Sequence, residues 1–182
     1  LLNDQSLIIY FDEIINPITV VNSIQIIPNT SIDYKVLGKK LIITPNDKWP
    51  NSNIIKLKLL RKISDYQKNT MNQSINLYFF NSLNIDTKLI KGQLFNTNDK
   101  FYEIGLFKIN DNNYSLIEKT QSNSNQFYEF KYLDAGHYFI AAVADSIIDI
   151  SKDIRKRNYG MCTYSKIDLI ETFVDFKIKS FE

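Results

Sequence analysis

Tyr128-Glu-Phe-Lys-Tyr-Leu-Asp-Ala-Gly-His-Tyr-Phe-Ile-Ala-Ala-Val-Ala-Asp145 is the run from which the fold class follows. Tyr128, Phe130 and Tyr132 alternate with Glu129 and Lys131, the period of a half-buried strand. Leu133-Asp-Ala-Gly136 interrupts that alternation, and Gly136 is free to take the positive φ of a tight turn. Beyond it Tyr138, Ile140, Ala142 and Ala144 alternate with Phe139, Ala141 and Val143, which predicts a strand apolar on both faces and central in its sheet. The two strands are expected to pair as a hairpin at the heart of the core, and no catalytic group sits on them.

The rest of the chain has the composition of a folded strand protein. Its 182 residues are enough for two domains of about 80 to 100 residues each. Hydrophobic residues make up 44% and charged ones 23%, a balance that folds rather than stays disordered. Tyr and Phe, 11 and 12 in number, fall largely in alternating runs and favour strands over helices. Net charge is +2 with Lys and Arg spread along the chain, which argues against a nucleic-acid partner. Cys162 is the single cysteine, so no intrachain disulfide forms. No apolar run reaches the roughly 18 residues of a membrane span. With neither an initial Met nor a signal-like start, the chain reads as the mature part of a longer precursor.

Taken in order, residues 7–11, 18–21 and 23–27 read as short strands separated by Asn16-Pro17 and Pro28-Asn29-Thr30. Residues 34–45 read as two strands meeting at a hairpin turn on Gly38. Ile55-Lys-Leu-Lys-Leu59 alternates with one wet face, and Lys56 and Lys58 on it predict a guarded strand at or near a sheet edge, not a covered central one. A turn at residues 64–69 and a strand at 75–79 complete about seven short strands, the spacing of a β-sandwich. Residues 81–86 are the expected linker, giving domains 1–82 and 83–182. The second strand set runs through 89–94, 102–109, the central pair, 166–169 and 171–178, with 145–160 as a loop carrying one helical turn.

Particular residues carry a family resemblance. Ile8-Ile-Tyr-Phe-Asp-Glu13, Ile26-Ile-Pro28, Gly38-Lys-Lys-Leu-Ile-Ile-Thr-Pro45, Asn51 and Asp65 with Asn69 resemble the bacterial Ig-like domain of the S-layer (SbsA) type. That family's D..GN turn reads Asp65-Tyr-Gln-Lys-Asn69 here, without its glycine. The second half resembles a transthyretin-like (prealbumin-like) domain of the carboxypeptidase-regulatory type. Its pattern is met by Tyr128, Phe130, Leu133, Gly136, Tyr138, Ile140 and Asp145, and its opening strand by Ile90, Gly92 and Leu94. The resemblance implies an all-β chain of two β-sandwich domains in series, Ig-like then transthyretin-like, as in Bacteroidetes surface lipoproteins. It implies a location in the bacterial cell envelope, on the periplasmic or surface side of the outer membrane. Anchoring would be through a lipidated cysteine upstream of Leu1, and the partners would be other envelope proteins, such as an outer-membrane complex.

Candidate chemistry is sparse. His137 is the only histidine, so a His-based triad would have to be completed by carboxylates or Ser, and an ordinary strand side chain is the expectation. Asp145, Asp149 and Asp153 would share one face of a helix and are the metal candidates, though a solvated acidic face beside basic residues is the plainer reading. Arg155, Lys156, Arg157 and Tyr159 are candidates for contact with an anionic group. Trp49 is either a ligand-stacking ring or, as expected, a plug at the end of the sandwich. Cys162 reads as an inert buried thiol. Phosphate loops, H-E-x-x-H, G-x-S-x-G and C-x-x-C are all missing from the sequence. No cofactor and no enzymatic activity are expected. The expected role is a structural or protein-interaction module, with a carbohydrate-binding or adhesive module as the alternative.

Overall fold

The computed structural model describes residues 4–81, 88–95, 102–111, 113–123, 125–144, 147, 158–162, 166–169 and 173–181. The described chain is almost entirely β-strand, and its packing divides it into two units, Leu1–Ile85 and Asp86–Glu182. The expected boundary near position 83 falls among residues 82–87, outside the described residues.

Unit 1 is a sandwich of two three-stranded antiparallel sheets. In one, β1 (Leu7–Tyr10), β4 (Lys40–Pro45) and β3 (Ile32–Leu37) lie in the order β1-β4-β3. In the other, β2 (Ile24–Ile27), β5 (Ile54–Leu59) and β6 (Ile75–Phe80) lie in the order β2-β5-β6. Period-two alternation sends Leu7, Leu41 and Ile43 from the first sheet, and Ile26, Ile55, Leu57 and Leu59 from the second, into one core. The β3–β4 hairpin turns on Gly38 and Lys39. Only the glycine is left-handed there (φ 61°), the type II′ pattern that suits strand twist.

Two expectations for this unit need correction. Residues 18–21 do not form a strand. Pro17–Val20 is a helical turn, α1, because Pro17 fixes the first helical φ and Asn16 Oδ1 accepts from Ile18 N at 3.2 Å. Nor is β5 an edge strand: it pairs β2 on one side and β6 on the other. Lys58 is 1% exposed and lies in register with Gln25 and Asn76, while Lys56 is buried between Ile27 and Tyr78. Lysine at alternate positions says only that one face avoids the core. Long aliphatic stems flanked by cross-strand neighbours satisfy the same pattern inside a covered strand.

Unit 2 is built from one eight-stranded sheet wrapped on itself. Its strands are β7 (Leu89–Phe95), β8 (Tyr102–Asn110), β9 (Asn113–Gln121), β10 (Phe127–Lys131), β11 (Gly136–Ala144), β12 (Tyr159–Cys162), β13 (Ile167–Leu169) and β14 (Phe173–Phe181). They run in the order β10-β7-β14-β12-β11-β8-β9, with β13 also on β11. The β7–β14 pair is parallel and the others are antiparallel. Ile90, Leu94, Tyr128 and Phe130 from one limb share a core with Ile104, Leu106, Tyr138, Ile140 and Ala142 from the other. The two limbs therefore face each other as the layers of a sandwich.

β11 is central and apolar on both faces, as its sequence requires. The expected β10–β11 hairpin is not formed, however: β10 pairs β7, and β11 pairs β8, β12 and β13. The connection is an arch between limbs. Tyr132 takes the left-handed conformation (φ 56°) while Gly136, at φ 159°, is nearly extended. Leu133 drops into the core, with its amide donating to Lys88 O at 3.0 Å. The buried Tyr138 hydroxyl donates to Asp134 O, four residues upstream, at 2.8 Å. This is the tyrosine-corner device of Greek-key sandwiches.

The outer face of β8, β11 and β12 has its own apolar layer of Phe107, Phe139, Ala141, Val143 and Tyr159, capped by Ile147. Ile147 sits over Gly105, where a Cβ would meet Ile147 Cδ1 and Phe107 Cε2 at 2.8 Å each and Leu116 Cδ1 at 3.0 Å. Its amide donates to the buried Glu103 carboxylate, and its carbonyl accepts from Lys119 Nζ at 2.8 Å. Lys119 Nζ also lies 3.4 Å from Glu103 Oε2, so the buried charge is both paired and hydrogen-bonded.

Candidate functional site

One concave feature of unit 1 is a groove of about 910 Å³ at one end of the sandwich. Its walls are the loop leaving β1, residues 10–15, and the long connection between β5 and β6, residues 63–75. It thus opens between two strands, β1 and β6, that each end a sheet. The scaffold beneath is tightly tied. Ile15 forms an antiparallel bridge with Asp65, and Asn16 N donates to Ser64 O at 2.8 Å. Phe11 N and Ile15 N donate to Lys39 O and Gly38 O at 2.8 and 3.1 Å. Met71 N reaches Ile63 O at 3.1 Å, and Thr19 Oγ1 accepts from Ser64 N at 3.0 Å. Ile15 and Ile63, both buried, form an apolar floor.

Exposed tyrosines and planar polar groups are also among the residues that line the groove. Tyr10 is 72% and Tyr66 67% exposed, and Ile14 also faces solvent. Asp12, Glu13, Gln67, Asn69, Asn72 and Gln73 supply carboxyl and amide groups around them. Asp65 closes the turn by accepting from Asn69 N and Asn69 Nδ2, each at 2.8 Å. The Asn69 side-chain amide is the main influence holding the Asp65 carboxyl below its ordinary range. Burial opposes it, and the backbone amides of residues 67–69 add to the lowering, so the net shift is downward. Lys68, at the turn position where the resembled pattern has glycine, takes the left-handed φ of 70° itself. Two lysines border the groove: Lys39 Nζ donates to Asp12 O at 2.6 Å, and Lys40 Nζ lies 5.6 Å from the centre of the Tyr10 ring.

None of the described residues singled out from sequence as candidates for chemistry is among those that line the groove. Trp49 is 5% exposed, packs in the unit 1 core and donates from Nε1 to Gln5 O at 2.7 Å, so its ring offers no face to a ligand. His137 pairs through Nδ1 with Asp168 Oδ1 directly across the β11–β13 ladder, and Lys166 Nζ lies 3.4 Å from the same oxygen. Burial acts to raise the Asp168 pKa, but the hydrogen bond from His137 and the charge of Lys166 outweigh it and the net shift is downward. The cluster is half-exposed and its geometry is that of a cross-strand pair. Cys162 is buried in the unit 2 core. Tyr159 packs beside the Ile147 layer. Asp145, Asp149, Asp153, Arg155, Lys156 and Arg157 lie outside the described residues. Among the described residues no group of three or more His, Cys, Asp or Glu is placed to hold a metal, and no helix is long and apolar enough to cross a membrane.

No family model matches the chain, and no curated protein matches it. Solved structures similar to it include BcpA, the major pilin subunit of Bacillus cereus, at 12% identity and a TM-score of 0.31, covering 98% of this chain and 58% of that one. A variant of the same pilin matches at 10% identity and a TM-score of 0.31, covering 99% of this chain and 60% of that one. The group B streptococcus pilus 2b backbone protein matches at 11% identity and a TM-score of 0.30, covering 98% and 85%. The chain thus spans less than two thirds of the first two. At these values the likeness carries no argument, and the functional assignment rests on the chain's own residues.

Proposed function

We propose that this chain is a non-catalytic module of the bacterial cell envelope that acts by presenting a binding surface, the end groove of unit 1. The observation that carries the reading is the division of labour among side chains. The residues that carry the family resemblance are occupied in holding the fold: Gly38 in the hairpin, Asp65 and Asn69 in their turn, Leu133 and Tyr138 in the arch. The open groove with its exposed Tyr10 and Tyr66 is left to meet a ligand. The sequence resemblance supports a finer reading: an SbsA-type Ig-like domain followed by a transthyretin-like domain, in an accessory lipoprotein of an outer-membrane assembly of the Bacteroidetes type. The test is cell fractionation with protease shaving of the native host, combined with a photo-crosslinking residue at Tyr66. The expected result is an envelope-bound protein whose crosslink from position 66 reaches another envelope component. A protein found wholly in the cytosol would overturn the reading.

A further inference from the structure

We propose that the end groove of unit 1 binds a neutral oligosaccharide stacked on the rings of Tyr10 and Tyr66. This deepens the reading of the same site given above and rests on it.

A sugar ring has an apolar C–H face and a rim of hydroxyls that each donate and accept. A site for it needs flat apolar platforms and, around them, side chains that both accept and donate in a plane. The groove has both. Tyr10 and Tyr66 are the platforms, more than two-thirds exposed although they border a floor of buried Ile15 and Ile63. Lys40 Nζ lies 5.6 Å from the centre of the Tyr10 ring, at the border of the groove. Asp12, Glu13, Gln67, Asn72 and Gln73 are the planar polar groups. Single exposed tyrosines are ordinary on a protein surface, but two lining one groove whose backbone is cross-tied are a preorganised arrangement.

Size and charge narrow the ligand. A volume of about 910 Å³ lies at the upper end of small-molecule sites (~300–1,000 Å³), which suits several linked rings better than one. Three carboxylates line the groove, and no lysine or arginine is among its lining residues, so uronic and other acidic sugars are disfavoured. Lys39 and Lys40 at its border bring the local charge near balance, which favours a neutral ligand over a strongly cationic peptide.

The experiment titrates the ¹⁵N-labelled protein with glucose, mannose and N-acetylglucosamine hexasaccharides, with oligogalacturonate as the acidic probe and hexalysine as the cationic one. Affinities come from calorimetry. The expected result is binding of at least one neutral hexasaccharide, with shifts confined to residues 10–15 and 63–75. Tyr10→Ala and Tyr66→Ala should each weaken it about fivefold, as loss of a stacking ring implies, with the amide spectrum otherwise unchanged. The proposal is overturned if no neutral probe shifts these residues at millimolar concentration, if only hexalysine or oligogalacturonate does, or if both tyrosine variants bind like the parent. Failure here with the protein still found in the envelope sinks the ligand alone. Sugar binding by a cytosolic protein would sink the envelope reading alone.

Discussion

Gly105→Ala perturbs a place in unit 2 where the backbone leaves no room for a methyl group. The new Cβ would stand 2.8 Å from Ile147 Cδ1 and Phe107 Cε2 and 3.0 Å from Leu116 Cδ1, each several tenths of an ångström inside ordinary contact. Overpacking of this kind costs about 1–3 kcal/mol. Replacing Gly in a strand recovers about 0.5–1 kcal/mol, leaving a net loss of about 1–2 kcal/mol. Ile147→Ala alone removes a buried side chain and should cost about 2–4 kcal/mol. In the double variant the new methyl occupies space that Ile147 has vacated. The contact with Ile147 disappears while those with Phe107 and Leu116 remain, so the two losses should fall short of their sum by about 0.5–1 kcal/mol. Urea unfolding followed by far-UV circular dichroism measures all four corners of the cycle. Amide exchange at Ile147, whose N–H is held by Glu103, should accelerate in Gly105→Ala before the rest of unit 2 is affected. Additivity within about 0.3 kcal/mol, together with unchanged protection at Ile147, would refute the account.

Three further outcomes follow from the same packing. Lys58→Ala should destabilise unit 1 by about 2–3 kcal/mol in urea titration, because a 1%-exposed stem is removed from a central strand. A solvent-facing edge lysine would cost less than about 0.5 kcal/mol. Tyr138→Phe deletes the bond to Asp134 O and should cost about 1–2 kcal/mol with the native spectrum kept; a neutral result would remove the corner from the energetics of the arch. The Asp65 carboxyl titrates below its ordinary value of 3.8, so its contribution is present above that value and is lost as pH falls through the lowered pKa. Asp65→Asn should therefore be less stable than the parent at pH 7 and approach it in acid. A gap that persists undiminished at pH 2.5 would contradict this.

Much of the fold is legible in the chain, because strand periodicity and glycine chemistry are local. The centrality of β11 can be read from apolar residues on both of its alternating faces, and the β3–β4 hairpin from Gly38. The errors arise where a local pattern has two physical solutions. Residues 18–21 are β-branched enough for a strand, yet Asn16 and Pro17 cap and start a helical turn. A four-residue break after Lys131 serves a hairpin or an arch equally well. What selects the arch is Leu133 in the core and the Tyr138 hydroxyl bonded back to Asp134, contacts that appear only after both limbs have packed. Lys56 and Lys58 look alike on a wet edge and under a covering of neighbours. The groove is the least legible feature: Tyr10 and Tyr66 are 56 positions apart and are brought to one cleft by the Ile15–Asp65 bridge. The single Trp lies in the core, whereas the exposed rings belong to tyrosines in unremarkable local sequence.

The parallel pairing of β7 with β14 has a mechanical consequence. Leu89 stands opposite Phe173 and Phe95 opposite Lys179, so the first and last strands of unit 2 run side by side in the same direction. Tension applied to the backbone through these two strands pulls them lengthwise past each other. Every rung of that ladder must then yield together in shear, whereas an antiparallel hairpin pulled from its open end unzips one bond at a time. A unit wired in this way resists stretching along the chain far better than its equilibrium stability alone would suggest.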